Sequence, residues 1–364
     1  MKILHICTDK NIGGAGQWIK NLLDNLDPEK IQSTVLLPKG SALSKRLEAG
    51  GVKVVELDIK EKSFDIKAIF TLRREIRRQQ PDIVHTHGSF SGRLAGKLAG
   101  KKVVITRHWA KLPGETGKPP GKISRLANNY FSDKWIATAK QAEGNLLEIG
   151  VPAKKIVCIE NGVSPLEKKP EDWIRKKKES LGITACSFGI LARLEEVKGH
   201  KYILEALKIL MEENKDLELT LSIAGRGDLE EALKTQALAC ELGDRVKFLG
   251  FYEKPAEFLS LLDVQINASY TETTCLALLE GFSIGVPAIA STGGGNPDVV
   301  KTGENGLLFS VGNPRELAAC MKIFMEDKQL RETLSEGAKT CFKKKYTAQR
   351  FAQEVVKVYE EVTQ

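Results

Sequence analysis

The stretch VQINASYTETTCLALLEGFSIGVPAIASTGGGNPDVV (Val264–Val300) sets two short apolar runs, VQIN and VPAIA, on either side of an apolar segment with helical character. Strand, helix and strand in such close succession form the repeating unit of a parallel sheet with crossover helices. The helical segment also carries Glu280 among Leu276, Ala277, Leu278, Leu279 and Phe282, with Glu272 just upstream. A carboxylate in that company is costly unless something hydrogen-bonds it. Its partner is either a buried cation of the chain or a ligand, and spacing alone leaves both open.

The same grammar runs through the whole chain. In the first half the predicted strands are KILHIC, STVLL, KVVEL, DIVHT, KVVIT, KWIAT and KIVCI; in the second they are SFGILA, LTLSIA, RVKFLG, DVQIN, VPAIA and GLLFS. The polar stretch SPLEKKPEDWIRKKKESLG separates the two sets. The predicted fold is therefore α/β, with two Rossmann-like, doubly wound parallel-sheet domains facing a cleft. Their expected extents are residues 1–164 and 165–345. The final stretch has Phe351, Val355, Val358 and Tyr359 at helical spacing, which predicts a terminal helix over 346–364 that packs back on the first domain.

At 364 residues, 42% apolar and 28% charged, the chain is globular and long enough for two cores. A net charge of +8 suits phosphates or an anionic surface but falls short of the basic tract of a nucleic-acid binder, so no nucleic-acid partner is expected. Seven cysteines without a CxxC pair, and no leader before the first strand, suggest reduced thiols and a cytoplasmic location. No apolar run approaches the ~18 residues of a spanning helix. The helical stretch KAIFTLRREIRRQQ (Lys67–Gln80) carries Arg73, Arg74, Arg77 and Arg78. It is read as a solvated helix first, and second as a peripheral contact with anionic lipid at the inner face of a membrane.

Glycines and charged groups collect at the carboxyl ends of the predicted strands, the edge where open α/β sheets bind ligands. Thr273 is placed to cap a helix starting near Thr274, whose free N–H groups favour an anion. Arg193 and Lys198, in ARLEEVKGH, leave one strand end and can converge on a pyrophosphate; alternatively they are ordinary surface cations. A nucleotide would satisfy helix end and Glu280 together, with its phosphates on the one and its ribose diol on the other. NIGGAG (Asn11–Gly16) offers Gly13 and Gly14 for close backbone approach, but its spacing and the lack of an acidic residue after STVLLP argue against a dinucleotide site. GGGNP (Gly293–Pro297) either presents N–H groups to an anion or is a mobile turn.

His85 and His87 share a face of DIVHTH, where a polar layer is favoured over a metal pair. His108 follows VVITR at a strand end. There is no Asp-x-Asp and no P-loop in the sequence.

ETTCLALLE resembles the E-x7-E signature of the retaining glycosyltransferases of family 4, which have the GT-B architecture. IGGAG, PDIVHTHG, VVITRH, ENGV, ARLEEVKG, IAGRGD, VKFLGF and GFSIGVPAIASTGGGNPDVV resemble further family motifs in order, covering nearly the whole chain. The resemblance implies transfer of a hexose or N-acetylhexosamine from a nucleotide-diphosphate sugar, such as a UDP-sugar, to an acceptor hydroxyl. It implies retention of configuration and no metal or other cofactor. The acceptor would be a saccharide or lipid-linked, as in polysaccharide, lipopolysaccharide or glycolipid synthesis.

Among residues, the resemblance assigns Arg193 and Lys198 to the departing diphosphate, Glu272 to the transferred sugar and Glu280 to the ribose. His108 would line the reacting face. Gly13 and Gly14, Gly225, Phe251, and the helix start at Thr274, Cys275 and Leu276 would cradle the donor. Cys275 replaces the glycine of the usual Glu-x-aromatic-Gly, Asp298 stands for a more usual Glu, and IGGAGQW lacks an acidic residue often found after the glycines. Two alternatives share this architecture: a nucleotide-sugar epimerase and a non-catalytic nucleotide-sugar-binding subunit. The loop KLPGETGKPPGK (Lys111–Lys122) is expected on the acceptor side.

Overall fold

A computed structural model describes residues 1–10, 13–60, 64–108, 121–183, 186–214 and 217–364. The first two residues of NIGGAG, and nearly all of the loop expected on the acceptor side, lie outside the described residues. The chain forms two units, one of Met1–Gly162 with Ala348–Gln364 and the other of Val163–Thr347.

The first unit is built on seven parallel strands: β1 (Lys2–Cys7), β2 (Gln32–Pro38), β3 (Lys53–Leu57), β4 (Ile83–His87), β5 (Lys102–Arg107), β6 (Lys134–Ala137) and β7 (Ile156–Cys158). They lie in the order β3-β2-β1-β4-β5-β6-β7. Successive residues of each strand serve opposite faces. Ile3, Val35, Ile83 and Val104 pack with Trp18 and the C-terminal helix Ala348–Thr363. Leu4, Leu36, Val84 and Val103 pack with Leu72 and Ile76 of the helix Ile66–Gln79. Burial on both faces is why these strands read as continuous apolar runs.

The second unit has six parallel strands: β8 (Cys186–Leu191), β9 (Leu219–Ala224), β10 (Val246–Gly250), β11 (Val264–Asn267), β12 (Ala288–Ser291) and β13 (Gly306–Phe309). Their order is β10-β9-β8-β11-β12-β13. Each sheet reverses direction of growth once, at β1/β4 and at β8/β11. Those are the topological switch points, where a crevice opens at the strand ends.

In the basic helix Ile66–Gln79, Asp65 caps the start by accepting from the Lys67 and Ala68 N–H groups. Arg78 is held by Glu75 at 2.8 Å, whereas Ile66 and Phe70 are exposed beside Arg74 and Arg77. Among the described residues no helix is long and apolar enough to cross a membrane. All seven cysteines are free thiols.

The C-terminal helix buries Phe351 completely, with its ring edge-on to Trp18 at 4.9 Å between centroids. Phe351→Ala should therefore destabilise the first unit by about 3–5 kcal/mol. Urea unfolding followed by Trp18 fluorescence checks this, and a loss below about 1 kcal/mol would show that the helix is dispensable to that core.

Candidate active site

In the second unit the loop after β8 is pinned before it reaches Lys198. Ala192 N–H donates to Ala224 O at 3.0 Å and Leu194 N–H to Arg226 O at 3.0 Å. A 3-10 turn, Glu196–Lys198, then ends at Gly199 with φ +66°. A Cβ at Gly199 would fall 2.1 Å from Ala268 O, so only glycine lets this turn lie against the end of β11. Tyr270 N–H donates to Val197 O at 2.9 Å and closes the junction.

The result is an ion pair between Lys198 Nζ and Glu272 Oε1, both side chains largely buried. Ser269 Oγ donates to the same carboxylate oxygen at 3.0 Å. Burial works to lower the Lys198 pKa, but Glu272 outweighs it and the ammonium is held above its ordinary range. Arg193 is exposed and paired with Glu195, yet near enough to Lys198 for the two charges to repel. The two cations expected to converge are therefore neighbours, and Glu272 joins them.

The three glycines Gly293–Gly295 hold Glu272 in place. Cβ atoms added to them would fall 2.5 Å from Tyr270 O, 2.2 Å from Glu272 O and 2.1 Å from Thr273 O. Gly295 N–H donates to Glu272 O at 2.7 Å. The turn is thus the backing plate of the Glu272 loop.

The helix starts later than expected. Cys275, not Thr273, occupies the N-cap of Leu276–Ser283, and it makes no side-chain capping bond. Thr274 is buried just before it. The N–H groups of Leu276 and Ala277 have no intrahelical partner. Cys275 feels both Glu272 and Lys198, so the helix start adjoins the ion pair; burial pushes its thiol up to about 11 and keeps it neutral.

Further along, burial raises the Glu280 carboxyl to about 7. Among the described residues no side chain pairs with or hydrogen-bonds that carboxylate, although by surface area Glu280 is only partly covered. Among the described residues, then, no cation of the chain is its partner. Gly225, with φ +149°, fits where a Cβ would lie 1.9 Å from Ala192 O, and Phe251 stands exposed after β10. His200, which no motif or spacing singled out, is buried near Lys198 with neither ring nitrogen bonded among the described residues. Burial, then the nearby Lys198 charge, push it down to about 4.

In the first unit the helix Gly14–Leu23 begins directly after Gly13. A Cβ at Gly13 or Gly14 would meet no described atom, so the fold itself does not demand glycine there. His108 closes a row of imidazoles with His87 and His5, and His85 lies beside them between Tyr359 OH (2.6 Å) and Thr106 Oγ1 (2.7 Å). Burial pushes His5 and His108 down to about 3, and His85 and His87 well below the ordinary histidine range, so all four rings are neutral. Nitrogens of His5, His85 and His87 lie within 4.8 Å of one another, close enough to consider a cation. Both His85 nitrogens are already bonded, and His5 and His87 bond each other, so the polar layer is the better description.

A cavity of about 420 Å³ opens beside His87 and His108 at the ends of β4 and β5. It is lined also by Arg107, Asp9 and Arg93, the last buried with its guanidinium 4.6 Å over Phe90 and 5.0 Å over Trp135. Burial, then Arg107, lower the Arg93 pKa to about 10 and leave it charged. Its bond to Asn128 Oδ1, at 3.3 Å, brings it no negative charge. A larger hollow of about 780 Å³ lies at the opposite edge of the first sheet from His87 and His108, around the starts of β1, β2 and β3.

Residues 174–340 match the model of the glycosyl transferases group 1, and residues 12–165 match that of glycosyltransferase family 4. The chain belongs to glycosyltransferase family 4. It is 29% identical to UDP-Gal:alpha-D-GlcNAc-diphosphoundecaprenol alpha-1,3-galactosyltransferase of Escherichia coli, over 73% of this chain and 72% of that one. It is 23% identical to N-acetyl-alpha-D-glucosaminyl L-malate synthase of Bacillus anthracis, over 82% and 80%. The structure of Anabaena HepE in complex with UDP and glucose superposes with a TM-score of 0.87 at 21% identity, covering 99% of this chain and all of that one. This likeness establishes the GT-B fold.

Two outcomes test the family 4 site as built. Gly294→Ala should displace the Glu272 loop, because φ is +61° and the added Cβ has 2.2 Å to the Glu272 carbonyl; a loss of about 1–3 kcal/mol in urea unfolding checks it. The second concerns pH. Below about pH 4.5 the Glu280 carboxyl is protonated whether the chain is folded or not. As pH rises from there to about 7, the unfolded chain ionises while the folded one keeps its proton, so stability falls through that window. Glu280→Gln escapes this loss and should gain about 1–3 kcal/mol on wild type between pH 5 and pH 8. Parallel stability curves would show that the carboxyl titrates normally.

Proposed function

We propose that this chain is a retaining, metal-independent glycosyltransferase, moving a hexose or N-acetylhexosamine from a nucleotide-diphosphate sugar to an acceptor hydroxyl. The observation that carries the reading is Glu280: a largely desolvated carboxylate without a partner among the described residues, on the helix whose start adjoins Lys198 and Glu272. A nucleotide diphosphate fits that spacing, with ribose hydroxyls donating to Glu280 and phosphate oxygens accepting from the helix start. Arg193 and Lys198 are cations on one strand end, where negative charge grows as the anomeric bond breaks. Together with the helix terminus they supply the charge that a metal provides elsewhere, which agrees with the lack of Asp-x-Asp. Glu272, steadied by Ser269, would accept from the sugar hydroxyls. Retention is the outcome expected of family 4.

A surface polysaccharide, lipopolysaccharide or glycolipid route is favoured, since a relative acts on a diphosphoundecaprenol-linked sugar. The Arg93 cavity supports an acceptor bearing an anionic group, because among the described residues no carboxylate is paired with that buried guanidinium, although Asp9 also lines the cavity. The exposed Ile66 and Phe70 beside Arg74 and Arg77 support peripheral contact with anionic lipid, and a cytoplasmic location at a membrane face agrees with it.

Incubation with UDP-, GDP- and ADP-sugars, following free nucleotide and sugar isomerisation separately, tests the reading. Nucleotide release without isomerisation is expected; isomerisation would instead make the protein an epimerase, and binding without release a non-catalytic subunit. Turnover should survive EDTA unchanged. Lys198→Ala should cut it by about a hundredfold or more. Arg93→Met should raise the KM for the acceptor about tenfold and leave the donor KM unchanged.

A further inference from the structure

His5, His87 and His108 come from three adjacent strands, and register brings them together. His5 lies opposite His85 across β1/β4, Cys7 opposite His87, and His87 opposite Thr106 across β4/β5. His5 Nδ1 bonds His87 Nε2 at 3.3 Å, and His87 Nδ1 bonds His108 Nε2 at 2.9 Å. The ring centroids are 5.6 Å and 5.2 Å apart, with the planes only 18° and 24° from parallel. In each pair the excess of centroid separation over nitrogen separation is what two ring radii supply. The bonded nitrogens therefore lie on the line joining the ring centres. These are in-plane, end-to-end N–H···N bonds, not face-to-face stacking.

A neutral imidazole holds one N–H and one lone pair, so each ring in such a row fixes the tautomer of the next. The direction is decided at the inner end. His5 is fully buried, and its Nε2 has no partner among the described residues. A buried N–H left unbonded costs more than a lone pair left unbonded. The His5 proton accordingly resides on Nδ1 and is donated to His87 Nε2. His87 must then carry its proton on Nδ1 and donate to His108 Nε2.

We infer that His5 and His87 are positioning residues that lock His108 in the Nδ1–H tautomer, with Nε2 saturated from inside the core. The strand-end ring is thereby a hydrogen-bond donor through Nδ1 and unable to act as a base through Nε2. Accepting a bond at Nε2 also polarises the ring and strengthens what Nδ1 donates. Under the proposed function, on which this last consequence rests, a fixed tautomer gives the ring that lines the reacting face one defined polarity. Thr106, Tyr359 and Trp18 complete the setting: the first two hold His85 against the row, and Trp18 sets its edge against His85, His87 and His108.

The test is the nitrogen-15 spectrum of the full chain labelled at its five histidines. Wild type at pH 7 should show His5, His87 and His108 neutral and Nδ1-protonated. His5→Phe, which removes the first donor, should turn His108 into a mixture of tautomers. An Nε2–H signal from His108 in wild type, or a tautomer indifferent to His5→Phe, would overturn the inference. Should that variant not fold, the wild-type spectrum decides alone. In the transfer assay His108→Asn, whose amide N–H replaces Nδ1–H, should retain at least tenfold more kcat than His108→Gln, whose N–H replaces Nε2–H. Equal loss in both would also contradict it. A protein without transferase activity would leave the spectra readable, so failure of the tautomer lock and failure of the proposed function are distinguishable.

Discussion

The pairing of β8 with β11 is the constraint on which the candidate site depends. These strands are separated by β9 and β10 in the chain but adjacent in the sheet. Because both run parallel, their carboxyl ends finish together, and the loops leaving them have to meet. One brings Arg193 and Lys198, the other Glu272. Gly199 lets the first loop lie on the second, and Gly293–Gly295 press the second from behind. A buried ion pair is expensive to desolvate, so Lys198 and Glu272 are weak evidence of stability and better evidence of use.

Glu280 poses the complementary case. It lies on a helix fixed to β11 by Gly281, whose missing side chain makes room for Gln265. The helix position is therefore set by packing, and the Glu280 carboxylate it carries has no partner among the described residues. The second unit thus keeps one carboxylate satisfied by Lys198 and Ser269 and another unsatisfied on the neighbouring helix. That asymmetry is what a ligand with phosphates at one end and a diol at the other would require.

How far the sequence disclosed this depended on the range of the interactions involved. All thirteen strands among the described residues were legible: the central ones are buried on both faces and read as apolar runs, and the partly buried edge strands β3, β7 and β10 still carry β-branched residues. Arg193, Lys198 and Glu272 were legible as residues at strand ends, since that edge follows from alternation alone. The late helix start at Cys275 was not, because Thr273 looks like a cap whatever its surroundings. The packing role of the glycine turn was not legible, because its contacts, to Tyr270, Glu272 and Thr273, exist only in three dimensions. Arg93, on a short helix after β4, has nothing in its neighbours to tell it from a surface arginine; burial and two aromatic faces distinguish it. The imidazole row needed the register of three strands, which periodicity does not supply.

The central claim is that Glu280 receives the ribose of a nucleotide diphosphate, and proton release on binding tests it most directly. With its carboxyl raised to about 7, the free protein at pH 7 holds the proton about half the time. Hydroxyl donors favour the ionised form, so binding should expel it. Calorimetric titration with UDP and GDP in two buffers of different ionisation enthalpy should show about half a proton more released by wild type than by Glu280→Gln, for the nucleotide that binds. Equal proton release from both proteins would contradict the claim.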